Sequence, residues 1–304
     1  MKSILITGAN GFLGRDLIQI LDKSKYQIYS TDLIGSVDFT GDLTDKLFVK
    51  KLPEVDIVIN VAAVQYSSGN IPILNKRKFF KKNNVDSIIN LKSKYGNSLQ
   101  LFVQIGTSMM FKKNKDGVYD PNSEFNGNGY YSESKVQAFH IFRDFNCKKS
   151  LIIPSIIGGP GRAGLFSTIA KIIKKFGILI LPTKSYKTSI VHVRDVSYLI
   201  QEVIDQELEG VFNASSLEKT SILDWISLIE DYLNIKCFII KIPIFLFWII
   251  GFLSNYNVLA KEQILMLSGN HILKPNTSNN LTWQPKKGIK TIVEETIQSL
   301  NLNQ

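Results

Sequence analysis

The stretch Thr7–Gly14, T-G-A-N-G-F-L-G, follows the apolar run Ser3–Ile6 and leads into an amphipathic helical pattern. No other feature restricts the fold as much. A buried strand that turns through glycines into a helix commits the chain to a β-α unit, and the next strand then lies parallel to the first. The first 160 residues keep that rhythm. Short Ile/Val/Leu runs at Ser3–Thr7, Gln27–Thr31, Asp56–Ala62, Leu101–Thr107 and Ser150–Ile157 read as strands buried on both faces. Helical spacing recurs between them, at Phe12, Leu13, Leu17, Ile20 and Leu21, and again at Val85, Ile88, Ile89 and Leu91. The expected fold class is α/β, with a doubly wound parallel sheet.

After residue 158 the pattern loosens into Gly/Pro-rich turns and scattered helices. Strand-like runs return at Thr188–Val193 and Gly210–Ala214. The expected organisation is a Rossmann-like domain over 1–160, joined by returning segments near 188–215. A smaller C-terminal substrate-binding lobe occupies most of 161–304. A chain of 304 residues is long enough for both.

The net charge of +10 raises the question of a polyanionic partner. The lysines are scattered, however, and the tightest cluster, Lys76-Arg77-Lys78 with Lys81-Lys82, reads as a solvated helix face. No nucleic-acid partner is expected, and anionic small substrates fit the same sign of charge. The two cysteines, Cys147 and Cys237, show no metal-ligand spacing, so no metal is expected and a reducing cytoplasm fits. The N-terminus enters a strand at once, without room for a signal peptide. Residues 242–253, I-P-I-F-L-F-W-I-I-G-F-L, are very apolar but short of the roughly 20 residues needed to span a bilayer. They read as a buried or interfacial helix. Burial is favoured on length, and peripheral membrane contact is the alternative.

The opening turn has the context of a dinucleotide cradle, a strand before it and a helix after it. Gly8 turns the chain sharply, Gly11 lets backbone approach a pyrophosphate, and Gly14 lets the helix pack closely. The N–H groups at the helix start then hold the anion. Asp32 follows the second strand, 18 positions after Gly14. A carboxylate there accepts from both ribose hydroxyls and repels a 2′-phosphate, which favours NAD over NADP. Arg15, at the helix start, is the one basic residue placed to reach such a phosphate.

Tyr131 and Lys135, in Y-Y-S-E-S-K at 130–135, share one helix face. They follow a strand ending in Q-I-G-T-S-M-M-F, which puts Thr107 and Ser108 at the C-terminal sheet edge, where ligands bind in open α/β folds. In this arrangement Thr107 holds the substrate oxygen, and Tyr131 exchanges its proton. The Lys135 ammonium, together with a cationic nicotinamide ring, favours the phenolate and lowers the tyrosine pKa. Ser108 is the alternative hydroxyl partner.

Together these segments resemble the extended short-chain dehydrogenase/reductase family, which includes NAD-dependent nucleotide-sugar epimerases and dehydratases. The resemblance rests on T-G-A-N-G-F-L-G at 7–14, Asp32, G-D-L-T-D at 41–45, N-V-A-A at 60–63 and N-N-V at 83–85. It continues through G-T-S at 106–108, Y-S-E-S-K at 131–135, G-G-P-G-R at 158–162, I-V-H-V-R-D-V at 190–196 and L-T-W-Q-P-K-K-G-I-K-T-I-V-E-E-T-I at 281–297. It implies Thr107, Tyr131 and Lys135 as catalytic residues. It implies a cofactor site of Gly8, Asn10, Gly11, Phe12, Leu13, Gly14, Asp32, Asp42, Leu43, Ala62, Ala63 and Pro154, with Tyr131 and Lys135. Asn84 falls where the family supports its active site with an asparagine. A homodimer packed through two helices is also implied.

The departures from the family concern the substrate. Ile153, Ile156 and Gly158 stand where family members often carry arginine, asparagine and tyrosine, and Thr188 stands where an arginine is usual. Ser108, Gln65, Arg162 and Lys187 are the candidate substrate residues, with Lys187 or Arg162 taking the diphosphate. Ser108 and Met109 replace the Asp-Glu pair of the dehydratases. His192, in an apolar strand, reads as a packed histidine instead of a base. Three functions remain open. One is a UDP-hexose 4-epimerase-like enzyme acting by transient oxidation and hydride return. Another is an NAD(P)H-dependent dehydrogenase or reductase of a keto-sugar or a more apolar substrate. The last is an inactive dinucleotide-binding scaffold.

Overall fold

In the computed structural model, which describes residues 1–66, 71–276 and 281–300, strands and helices alternate into a seven-stranded parallel sheet. The chain lays down β1 (Lys2–Thr7), β2 (Tyr26–Asp32), β3 (Phe39–Thr40), β4 (Ile57–Asn60) and β5 (Leu101–Ile105). It then forms a small outlying strand, β6 (Val118–Tyr119), before β7 (Lys148–Pro154). Next come β8 (Ile156–Gly158), β9 (Ile178–Pro182) and β10 (Lys187–His192), which build smaller sheets, and β11 (Gly210–Ala214) returns to the large one. The spatial order is β11-β7-β5-β4-β1-β2-β3. Last are β12 (Lys219–Ser221) beside β10, β13 (Phe238–Ile242) beside β9 and β14 (Ile272–Leu273) beside β6.

The helices are α1 (Phe12–Ile20), α2 (Lys46–Lys51), α3 (Lys76–Lys81), α4 (Ser87–Tyr95), α5 (Tyr130–Arg143) and α6 (Leu165–Phe176). They continue as α7 (Val193–Asp205), α8 (Ile222–Leu233), α9 (Ile244–Leu253), α10 (Lys261–Met266) and α11 (Ile289–Gln298).

Strand alternation divides the core between two sides of the sheet. Ile4 and Ile6 pack on one side with Leu13 and Leu17 of α1 and with Leu199 and Val203 of α7. Leu5, Val58 and Phe102 pack on the other with Leu91 and Tyr95 of α4 and Phe142 of α5. Covering both faces is what lets the strands be near-continuous Ile/Val/Leu runs. A third cluster, around Phe166, Ile173, Trp225, Ile229 and Val293, joins α6, α8 and α11 into a C-terminal lobe.

Three expectations need correction. The run 150–157 is two strands: β7 pairs with β5 and β11, whereas β8 leaves the large sheet to pair with β10. Pro154 has no N–H to continue the ladder, and the Ser155 N–H donates to Ala214 O at 2.9 Å instead. The basic cluster on α3 is not uniformly solvated. Lys76 is buried and its Nζ donates to the Asn255 carbonyl, tying α3 to the loop after α9. Finally, the apolar 242–253 segment is not a core helix. Only Phe247 and Gly251 of α9 are buried.

His192 takes a structural role. Its Nδ1 accepts from Arg194 N at 3.0 Å, capping α7, and its Nε2 meets Glu295 at 2.9 Å. One residue further along the same helix turn, Asp195 accepts from the N–H groups of Lys286 and Lys287 at 3.1 and 3.0 Å. That pair of bonds fastens the closing segment to α7.

Candidate active site

A cavity of about 650 Å³ lies along the C-terminal edge of the large sheet and continues into the lobe. Its floor rests on a polar ladder that crosses three strands. Thr7 donates to Asn60, Asn60 donates to Gln104 at 2.9 Å, and Gln104 donates to the Ile105 carbonyl at 3.0 Å. All three side chains are buried. A satisfied buried network of this kind fixes its neighbours' positions, and here it sits beneath the ligand edge.

Gly8 adopts φ +66°, and a Cβ there would stand 2.7 Å from the Ala62 backbone. A Cβ on Gly14 would stand 2.2 Å from the Gly8 carbonyl, so α1 packs against the turn at a distance no side chain permits. The N-terminus of α1 consequently opens on the cavity with Gly11 as its cap residue. Asp32 is on the cavity wall, accepting from Asn10 N at 2.9 Å and from Leu33 N at 2.7 Å. The glycine cradle, the helix N-terminus and the carboxylate fit a dinucleotide. Gly8, Gly11, Phe12, Leu13, Asp32, Asp42 and Leu43 would hold its adenosine and pyrophosphate parts, and Ala62 and Ala63 would lie along its crossing. Asn10 and Gly14 do not line the cavity. Asn10 braces the turn against Asp32 and Ile34, and Gly14 serves helix packing.

Thr107 follows β5 and accepts from Met109 N at 3.4 Å, and it lines the cavity beside Tyr131. Tyr131 lies in the first turn of α5, packed edge-on to Tyr66 and against Phe80, with ring centroids 6.3 and 6.0 Å away. Burial pushes the Tyr131 phenol up to about 12. The Arg162 charge and the Thr107 hydroxyl oppose that rise, and Glu262 adds to it. Lys135, one turn along α5, is buried with no ion-pair partner among the described residues, and burial brings its ammonium down to about 8. The cation acting on Tyr131 is Arg162, and desolvation outweighs it.

Arg162 stacks its guanidinium 5.2 Å from the Phe12 ring centroid, and its Nη2 lies 3.4 Å from Gln65 Oε1. Arg162, Gln65, Ser108 and Pro154 all line the cavity around Tyr131. Lys187 does not. It pairs with Asp224 at 3.0 Å on the exposed start of β10. A strand rises ~3.3 Å per residue, so five residues place Lys187 at the opposite end of β10 from His192.

Sequence reasoning missed Glu262 of α10. This buried carboxylate accepts from Tyr131 N at 3.1 Å, from Ser132 N at 3.2 Å and from Tyr66 Oη at 2.9 Å. It caps the catalytic helix from another element, where the helix dipole favours negative charge. A Cβ on Gly129 would stand 2.1 Å from the Glu262 side chain, so that glycine makes room for it. The faint local signal was Asn128-Gly129, a helix start without a side-chain cap. Asn84 was anticipated. It bridges Val64 and Ser134, at 2.8 Å from Val64 N and 3.0 Å from Ser134 Oγ, on a wide π-helical turn between α3 and α4. Ser155 Oγ, buried on the cavity wall, has no hydrogen-bond partner among the described residues.

A parallel doubly wound sheet with a glycine cradle, an acidic residue after β2 and a Thr-Tyr-Lys set at the ligand edge defines an oxidoreductase-type dinucleotide fold. The model of the NAD dependent epimerase/dehydratase family matches residues 4–214, and the chain belongs to that family. Among curated relatives, a UDP-glucose 4-epimerase from Vibrio cholerae is 22% identical, over 98% of this chain and 95% of its own length. Among solved structures, a UDP-glucose 4-epimerase from Thermus thermophilus in complex with NAD is 16% identical, covers 98% of both chains and superposes with a TM-score of 0.78. A dTDP-4-dehydrorhamnose reductase from Bacillus anthracis in complex with NADP is 18% identical with a TM-score of 0.77, covering 98% of this chain and 99% of its own. At these identities the solved structures establish the fold.

Proposed function

We propose that the chain is an NAD-dependent nucleotide-sugar epimerase of the UDP-hexose 4-epimerase kind, in which residues 1–160 carry the cofactor and 161–304 mainly the substrate. The observation that carries this reading is that Thr107, Tyr131 and Lys135 line one cavity with the glycine turn and Asp32, Lys135 one turn beyond Tyr131 on α5. Thr107 and Tyr131 converge on one point, where a sugar hydroxyl or ketone oxygen can accept from one and exchange a proton with the other. Arg162 beside the phenol stabilises its ionised form when the proton moves to Tyr131 and back. Lys135 is placed to bind ribose hydroxyls and to hold charge near the phenol. A dinucleotide held by the glycine turn and Asp32 would supply hydride acceptance and return at the sugar carbon.

A second reading, a reductase or dehydrogenase acting on a keto-sugar or a more apolar substrate, is favoured by the cavity's far wall. That wall is apolar, including Leu165, Phe166, Ile169, Leu179 and Phe247. The two readings separate in one experiment. The purified protein is assayed for retained cofactor by absorbance and mass spectrometry, then incubated with UDP-sugars without added NAD(H). Epimerisation without net reduction is expected. Strict dependence on added reduced cofactor would overturn the first reading and support the second.

A further inference from the structure

The C-terminal lobe carries an apolar surface that, apart from Ile180, lies outside the active-site cavity. In the parallel pair β9–β13, Phe238 is opposite Ile178 and Ile240 opposite Ile180, and all four are exposed. The chain continues from β13 through Pro243 into α9, where Phe245, Ile249, Phe252 and Leu253 recur at i, i+4, i+7 and i+8. That spacing puts them on one side of the helix, away from the Phe247 and Gly251 contacts, and Phe252 and Leu253 are 72% and 78% exposed. The helix has no polar residue. Its inner side is held firmly, since a Cβ on Gly251 would meet Ile264 at 2.7 Å. The outward stripe is thus fixed in place by packing.

The charge around this surface is one-sided. Residues 165–187 contain five lysines and residues 235–261 contain three, and neither segment has an acidic residue. Lys171, Lys174, Lys175, Lys184, Lys236 and Lys241 are all exposed, and none is in an ion pair among the described residues. The neighbouring acids in sequence are Glu230 and Asp231, at the end of α8, where Glu230 accepts from Cys237 N at 2.6 Å, and Glu262, which is buried beneath α5.

We propose that this face of the lobe docks on an anionic bilayer surface, with the outward stripe of α9 and the β9–β13 quartet at the acyl boundary and the lysines over lipid phosphates. Apolar bulk with a lysine rim is the composition of an interfacial membrane helix. Protein–protein interfaces, by contrast, are depleted in lysine. Lysine stems lie along apolar surface while their ammonium groups reach the headgroups. α9 has ten residues, and no helix among the described residues is long and apolar enough to cross a membrane, so the contact is with the surface. Ile180 both lines the cavity and belongs to the exposed quartet, so the docking face and the cavity share a wall. The docking stands whichever reaction the site performs.

The test is co-sedimentation of the full chain with phosphatidylcholine vesicles, with and without phosphatidylglycerol. Binding is expected on the anionic vesicles alone and should fall with added salt. The double substitution Phe252→Ser with Leu253→Ser is expected to weaken it about tenfold or more. Lys174→Glu with Lys175→Glu should weaken it by about the same factor. Far-UV circular dichroism and the thermal midpoint confirm that both variants fold, and neither pair lines the cavity, so turnover of a soluble substrate stays unchanged. No binding to anionic vesicles by the wild-type chain overturns the proposal. So does undiminished binding by the serine variant, or a concentration-dependent oligomer that the same substitution dissociates, which would assign the face to a second copy.

Discussion

The two ends of the cavity are held in different ways. At the dinucleotide end, Thr7, Asn60 and Gln104 form a hydrogen-bonded ladder, Asp32 braces the glycine turn, and Glu262 caps the catalytic helix. At the lobe end, Phe166, Ile169, Leu179 and Phe247 meet the cavity as apolar surface. Hydrogen bonds are directional and costly to leave unmade, so the first end admits one ligand geometry. Apolar packing is non-directional, so the second end accepts changes of substrate shape at low cost in folding.

The sharpest way to break the comparison is Tyr131→Phe. It removes one hydroxyl at the polar end and leaves the ring packing intact. Turnover is expected to fall by ~10³-fold with cofactor affinity nearly unchanged, measured by steady-state rates and cofactor titration. Normal turnover would remove Tyr131 from the chemistry and revive the inactive-scaffold or a different-site reading.

Glu262→Ala tests whether the polar end depends on the lobe. It leaves the N–H groups of Tyr131 and Ser132 without their acceptor. A loss of ~1–3 kcal/mol in denaturant unfolding is expected, together with reduced turnover. Glu262→Gln, which keeps an acceptor oxygen, should recover most of the stability. Equal stability of all three proteins would show that the cap contributes nothing.

Lys135→Met addresses the opposite trade. The folded Lys135 has its pKa brought down to about 8 from 10.5, so the unfolded chain binds more protons between those values. The native state therefore bears a penalty below pH 8 that is relieved as pH rises towards 10.5. The methionine variant is expected to be inactive yet more stable than wild type at pH 7, by on the order of 1–3 kcal/mol. The gap should close by pH 10.5, as followed by chemical unfolding across the range. A gap that widens with pH would contradict the buried-ammonium account.

The smallest effect is expected from Lys187→Met. Lys187 pairs with Asp224 on an exposed surface, outside the cavity, and such pairs contribute ~0–1 kcal/mol. Michaelis constants should stay within about twofold of wild type. A large rise would return Lys187 to the substrate site and blur the division between the cavity's two ends.

Much of the polar end was legible in the sequence because its determinants are local. Gly8, Gly11 and Gly14 occur within seven residues, Tyr131 and Lys135 within one helical turn, and buried parallel strands announce themselves as Ile/Val/Leu runs. Backbone geometry and helical periodicity act over such distances, so spacing alone predicted them. The three-strand ladder and Glu262 were not legible. Their partners lie 44 to 196 positions apart, and nothing in the sequence near either end marks the other.

The sequence by itself determined the α/β rhythm, the glycine turn, the acidic residue after β2 and the order of Thr107, Tyr131 and Lys135. Only the tertiary structure decided that Arg162 reaches Tyr131 while Lys187 does not, that Lys76 is buried, and that the most apolar helix of the chain faces outward. The physical reason is that propensity and periodicity are properties of short segments. Desolvation, charge proximity and exposure depend on which distant elements pack together, and packing is settled by the whole core at once.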